Sequence, residues 1–115
     1  MGYRSEVVFK LSEAAEQDLL HVAERDPELK ELLKNMHDEA ATTSDTSEGT
    51  YYYDWVKWYP GDPQVDMIMD FFKQLESEGR DDEYGFIRLG EDDSDVELLG
   101  SPFDLGLEYV RHVRF

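Results

Sequence analysis

Residues 3–11 (YRSEVVFKL) alternate between two faces. Tyr3, Ser5, Val7, Phe9 and Leu11 share one face; Arg4, Glu6, Val8 and Lys10 share the other. That period of two predicts a half-buried strand. Ser12 follows as a helix N-cap, with Glu13 and Glu16 in the first turn, where the helix dipole favours negative charge. Ala15, Leu19, Val22 and Ala23 make a helical apolar stripe, broken at Asp26-Pro27, a cap followed by proline at a first helical position. Leu29, Leu32, Leu33 and Met36 continue the stripe, so the pattern predicts a helix, a break and a shorter helix.

Residues 41–49 (ATTSDTSEG) are polar and without period, which predicts a loop. TYYYDWVKWY (50–59) is aromatic and β-branched, a strand, closed by the turn Pro60-Gly61-Asp62-Pro63. On a regular strand Tyr51, Tyr53, Trp55, Lys57 and Tyr59 share one face, and Tyr52, Asp54, Val56 and Trp58 the other. Asp62 caps the next helix, Val65, Ile68, Met69, Phe72 and Leu75 form its buried stripe, and Gly79 stops it. Residues 83–90 read as a short strand, 91–95 as an acidic turn, 95–99 as its hairpin partner and 107–115 as a last strand. The resulting β, α with a break, β, α, β, β, β order predicts a single α+β domain over residues 1–115. Its architecture is a two-layer sandwich, a mostly antiparallel sheet with two helices on one face, ferredoxin-like or a variant.

Charge changes the picture most. Twenty-eight Asp and Glu face eleven Lys and Arg in 115 residues, a formal net charge of −17. The excess is distributed: residues 1–40 carry ten acids and five bases, 41–80 eight and three, 81–115 ten and three. Few of these charges can be buried unpaired, so the folded surface itself is negative. Solubility alone calls for a net charge of about 2–8 in a domain of this size. Such a surface repels nucleic acid and anionic membranes and attracts basic proteins.

The chain contains no cysteine, which removes disulfides and thiolate metal sites. No run approaches the roughly 20 apolar residues of a membrane span, and Met1 to Lys10 lacks the apolar core of a signal peptide. A cytoplasmic location is the expectation.

Candidate chemistry is sparse. Asp93, Asp95 and Glu97 have the spacing that begins an EF-hand loop. The sixth position, which needs glycine, is Leu98, and the twelfth, which needs Glu, is Asp104. The match fails, and an acidic hairpin tip is the better reading. His21, His37 and His112 have no metal-ligand spacing to one another. Nucleophile-elbow, phosphate-loop, dinucleotide and zinc-protease motifs are absent from the sequence. The aromatic run from Tyr51 to Tyr59 reads either as core with a cross-strand ladder or as a protein-binding hot spot; base stacking would need a basic surround.

The opening MGYRSEVVF, the central DWVKWY before a turn and helix, and the later YGFIRLGEDDSDVE resemble a group of short acidic proteins encoded by bacteriophages and prophages. The resemblance runs over most of the chain in the same order and is weakest over residues 41–49 and after Gly100. It supplies no catalytic motif. It implies a host-takeover factor in the bacterial cytoplasm, such as an anti-CRISPR or anti-restriction inhibitor. Such a factor would act as a DNA mimic, occupying the basic nucleic-acid-binding surface of a host protein. The reading is therefore a non-enzymatic binding protein without cofactor or metal. Its expected contacts are Asp81, Asp82, Glu83, Glu91, Asp92, Asp93 and Asp95, with Trp55 and Trp58. The alternative is an interaction or assembly module that uses the aromatic strand 51–59, as a homodimer through sheet edges.

Overall fold

Helix and strand boundaries follow from local chemistry. In the computed structural model, which describes residues 3–43, 48–92, 94–109, 113 and 114, strand β1 (Ser5–Leu11) leads into helices α1 (Glu13–Ala23) and α2 (Pro27–Thr43). Strand β2 (Thr50–Val56), helix α3 (Pro63–Ser77) and a 3₁₀ turn over Asp81–Glu83 come next. Strands β3 (Tyr84–Leu89), β4 (Val96–Gly100), β5 (Glu108–Tyr109) and β6 (Val113–Arg114) complete the order. Ser12 Oγ accepts the Ala15 N–H at 3.1 Å, and Asp26 Oδ1 accepts that of Leu29 at 3.0 Å. Asp62 Oδ1 accepts from Gln64 and Val65 at 3.0 and 3.2 Å. All three satisfy first-turn donors that have no partner within their helix. At the end of α3, Gly79 takes φ +73°, and the Gly79 and Arg80 amides return to the Glu76 and Leu75 carbonyls. This left-handed stop favours glycine.

The sheet order is β2-β1-β3-β4, and every neighbouring pair is antiparallel. Strands β2 and β3 therefore run parallel to each other with β1 between them, and α3 connects them as a split β-α-β unit. The other crossover, the α1–α2 pair, joins the adjacent strands β1 and β2. The two-layer α+β expectation holds, as a variant of the ferredoxin-like connectivity rather than that connectivity itself.

Helices cover one face of the sheet. Val7, Phe9, Leu11, Tyr51, Tyr84 and Phe86 point into a core with Leu19, Leu29, Leu33, Met36, Ile68, Phe72 and Leu75. Phe9 stacks on Tyr51 at 4.9 Å and Phe72 on Tyr84 at 4.5 Å, so part of the aromatic content is core. Each such buried ring stabilises the fold by about 1.5–3 kcal/mol. The second face carries Val8, Tyr52, Ile87 and Leu89, covered by Leu107 and Val113 from the C-terminal segment. Glu6 fastens that cover: Tyr52 Oη donates to its carboxylate at 2.7 Å and the Val113 N–H at 3.2 Å. Gly85 permits the close approach of the 101–106 turn, since a Cβ there would lie 2.4 Å from Pro102 Cα.

Four expectations are corrected. Strand β1 is buried on both faces, not half-buried, because the C-terminal segment covers the side away from the helices. The helix after Asp26 is longer than its predecessor, 17 residues against 11. Ala40 and Ala41 sustain it, and Thr42 and Thr43 hydroxyls bond back to the Glu39 carbonyl. The last strand is instead two short strands pairing with each other, Glu108 opposite Arg114, because the chain doubles back. His112, assigned to that strand, lies outside the described residues.

The fourth correction concerns the aromatic strand. Ser5 pairs with Val56 while Val7 pairs with Tyr53, so β2 holds one residue more than β1 over this interval. This bulge at Asp54 and Trp55 reverses the alternation. Tyr51 and Tyr53 face the helices before it; Val56 and Trp58 do so after it. Trp55 is left 57% exposed.

Candidate functional site

The acidic residues singled out in the sequence fall into two groups at opposite ends of β3. Six strand residues separate them by about 20 Å, so they form no single patch. At the hairpin end, Asp95 is bound by Arg88, Nη2 to Oδ1 at 2.7 Å and Nη1 to Oδ2 at 3.1 Å, and accepts from Tyr3 Oη at 2.7 Å. The Arg88 guanidinium, then the Tyr3 hydroxyl, hold the Asp95 carboxyl down to about 2. Glu91 accepts the Arg4 N–H at 3.2 Å. Asp92 accepts the Ser94 N–H and Oγ–H at 2.9 and 2.8 Å, which lowers its pKa. Asp93 lies outside the described residues.

At the other end, Glu83 is held by Arg80 at 2.8 and 3.0 Å and by Ser12 Oγ at 2.9 Å. These contacts, Arg80 first, keep its carboxyl below the usual range. Arg80 also reaches Asp18 at 2.9 Å and Glu78 at 3.2 Å. Asp81 and Asp82 are exposed, and their side chains make no hydrogen bond or ion pair among the described residues. Arg80 and Arg88 thus hold Glu83 and Asp95, backbone amides engage Glu91 and Asp92, and Asp81 and Asp82 remain available.

Trp55 and Trp58, paired as candidate contacts, are separated by the bulge. Trp58 is only 6% exposed and its ring lies 6.0 Å from that of Phe86. This corrects its assignment as a surface contact. Its indole N–H is the one buried side-chain polar atom among the described residues that has no hydrogen-bond partner.

The sequence reading missed two features. Asp62, Asp66 and Asp70 recur every four residues along the start of α3, which places them on one face with an axial step of about 6 Å. With Glu76, Glu78 and the 81–83 turn, residues 62–83 carry eight acids against Lys73 and Arg80, a net of −6. The D-x3-D-x3-D spacing was the available signal. The second feature is a cleft of about 490 Å³ between the first half of α3 and the hairpin end of the sheet. Tyr3, Trp58 and Tyr59 form its aromatic wall, Val65 and Met69 its apolar side, and Asp66, Asp70 and Lys73 line it from α3. Arg88 lines it too, already bound to Asp95 and Glu97. The wall is fixed by Tyr59 Oη donating to the Tyr3 carbonyl at 2.6 Å. No sequence motif announces the cleft, because its residues come from four distant segments.

A hollow of about 440 Å³ between α1, α2 and β2 is lined by Lys30, Lys34, His37 and Tyr51. Tyr51 Oη donates to Glu16 at 2.7 Å; burial, then this carboxylate, push the phenol pKa up. Among the described residues no three His, Asp or Glu side chains converge as a metal site, and no helix is long and apolar enough to cross a membrane. No family model, curated protein or solved structure matches the chain.

Proposed function

We propose that this chain is a non-enzymatic binding protein whose acidic surface occupies a basic, nucleic-acid-binding surface on a partner protein, as an inhibitor of phage type would. The supporting observation is the run of carboxylates along α3 and the following turn, net −6 over residues 62–83 and largely free of internal cations. Carboxylates on a rigid helix present charge to a groove built for phosphates and release the same counterions. The α3 row supplies one carboxylate per about 6 Å of axis, against about 3.4 Å per phosphate on one DNA strand. The protein thus competes through a broad negative field rather than through a phosphate-by-phosphate copy.

The test is capture of proteins from a bacterial lysate on the immobilised chain, with duplex DNA as competitor. The bound protein should be basic, be displaced by DNA, and elute between about 0.1 and 0.5 M salt, where the screening length falls steeply. A partner that stays bound at high salt and ignores DNA would refute the reading.

A second reading rests on Trp55, exposed at the bulge of an outer strand. It makes the protein an assembly module that pairs with itself through this ring. Light scattering decides: a dimer that Trp55→Ala dissociates supports it, and a monomer at all concentrations removes it.

A further inference from the structure

The cleft between α3 and the hairpin end of the sheet combines features that select a ligand class. Its carboxylates are Asp66, Asp70, Asp95 and Glu97, and its cations are Lys73 and Arg88, four against two, a net of −2. Arg88 is not free to receive an anion. Its Nε is bound to Glu97 at 3.0 Å, its Nη2 to Asp95 at 2.7 Å, and its Nη1 to Ser5 and Asp95 at 3.2 and 3.1 Å. Asp70, by contrast, is exposed and makes no hydrogen bond or ion pair among the described residues. The cleft is also lined by the exposed rings of Tyr3 and Tyr59 and by the largely buried ring of Trp58. Tyr3 is held by Asp95 at 2.7 Å and by the Asp92 N–H at 3.1 Å, so the wall is set before any ligand arrives. Trp58, whose buried indole N–H is unpaired, is one of the residues lining the cleft.

Aromatic faces joined to a free carboxylate favour a cation over a neutral or anionic ligand. A flat cation gains more than a spherical one, because a guanidinium stacks on rings and pairs with a carboxylate at the same time. We propose that the cleft receives an arginine side chain of the basic partner, its guanidinium stacked on the exposed rings of Tyr3 and Tyr59 and paired with Asp70. This inference rests on the basic-partner reading and adds to it a site of short-range recognition within the general field.

The probe is a set of three blocked peptides, acetyl-Gly-X-Gly-amide with X arginine, lysine or citrulline. Citrulline keeps the shape of arginine and removes its charge. Binding is followed by nuclear magnetic resonance on the indole N–H of Trp58, identified with a Trp55→Phe variant. The arginine peptide should shift that signal saturably, and the citrulline peptide should bind about tenfold more weakly. Asp70→Asn should weaken the arginine peptide about fivefold, whereas Glu31→Gln, the same charge change on an exposed position of α2 outside the cleft, should leave it unchanged. Equal binding of citrulline, or equal effects of the two variants, would overturn the site. Equal binding of lysine would overturn its assignment to a guanidinium. DNA-displaceable capture of a basic partner at unchanged strength by the Asp70→Asn protein would likewise overturn the cleft while leaving the basic-partner reading intact. Loss of such capture by the unaltered protein would strike that reading instead, and the peptide titration would still judge the cleft.

Discussion

Replacing Arg88 by methionine tests how the hairpin end of the sheet is held. Methionine keeps an apolar stem but removes the guanidinium that binds Asp95, Glu97 and Ser5. The arginine side chain is 15% exposed, so its charge is well shielded. Breaking a fully buried ion pair costs about 3–5 kcal/mol. Here the carboxylates retain 35% and 37% exposure, so water partly solvates them once the cation leaves. Discounted for that screening, the loss is about 2 kcal/mol, or about 8 °C in Tm for a domain of this size. The acid response carries a second signature. The folded-state pKa of Asp95 is depressed from 3.8 to about 2, so its contribution is present above the ordinary value and lost as pH falls through the folded one. The variant keeps the Tyr3 hydrogen bond but lacks the guanidinium's larger share of this contribution at every pH. The Tm difference between the two proteins should therefore narrow as pH drops from about 4 to about 2. Calorimetry across that window reads both signatures. A pH-independent difference, or one below about 2 °C at neutral pH, would refute the ion-pair account.

Three further outcomes follow from the packing. Leu107→Ala opens a cavity beneath the cover of the second sheet face, where Leu107 is fully buried, and should cost about 2–5 kcal/mol in urea unfolding. Gly85→Ala drives a methyl into Pro102 Cα, a backbone atom that cannot swing aside, and should cost about 1–3 kcal/mol by the same assay. Trp58→Ala should cost about 3–5 kcal/mol and Trp55→Ala less than about 0.5 kcal/mol, a contrast that thermal melts of the two variants would expose or dismiss.

Local signals in the sequence were legible wherever the physics is local. Ser12, Asp26 and Asp62 announced their helices, Gly79 its stop, and the periods of two and 3.6 separated strands from helices. The parity of the aromatic strand was not legible. The bulge exists only in relation to the register of β1, 46 residues away at the Glu6–Tyr52 hydrogen bond. The burial of both faces of β1 was hidden for a similar reason, since Val8 reads as an ordinary outward valine until Leu107 is laid over it. At the candidate site, the acids of 81–83 and 91–95 drew attention by density. Pairing with Arg80 and Arg88, which composition does not reveal, decides which of them are spent on structure. The cleft needed residues 3, 58, 59, 70 and 88 together, an arrangement that only the fold creates.

The bulge in β2 has a consequence for solubility. Thr50–Val56 is an outer strand of seven residues, rich in aromatics and with a single charge, the composition that stacks into fibrils when such a strand lies flat and open. At Asp54 the regular ladder is interrupted, and the amide freed there is taken by the Glu39 carboxylate at 3.2 Å. Burial, and then the neighbouring Asp54 side chain, raise the Glu39 pKa, a sign that the two acids crowd one another at this rim. A foreign strand approaching here meets an occupied donor, a kinked backbone and two carboxylates. The segment best suited to seed aggregation thus carries its own gatekeeper, supplied jointly by a strand and the helix packed beside it.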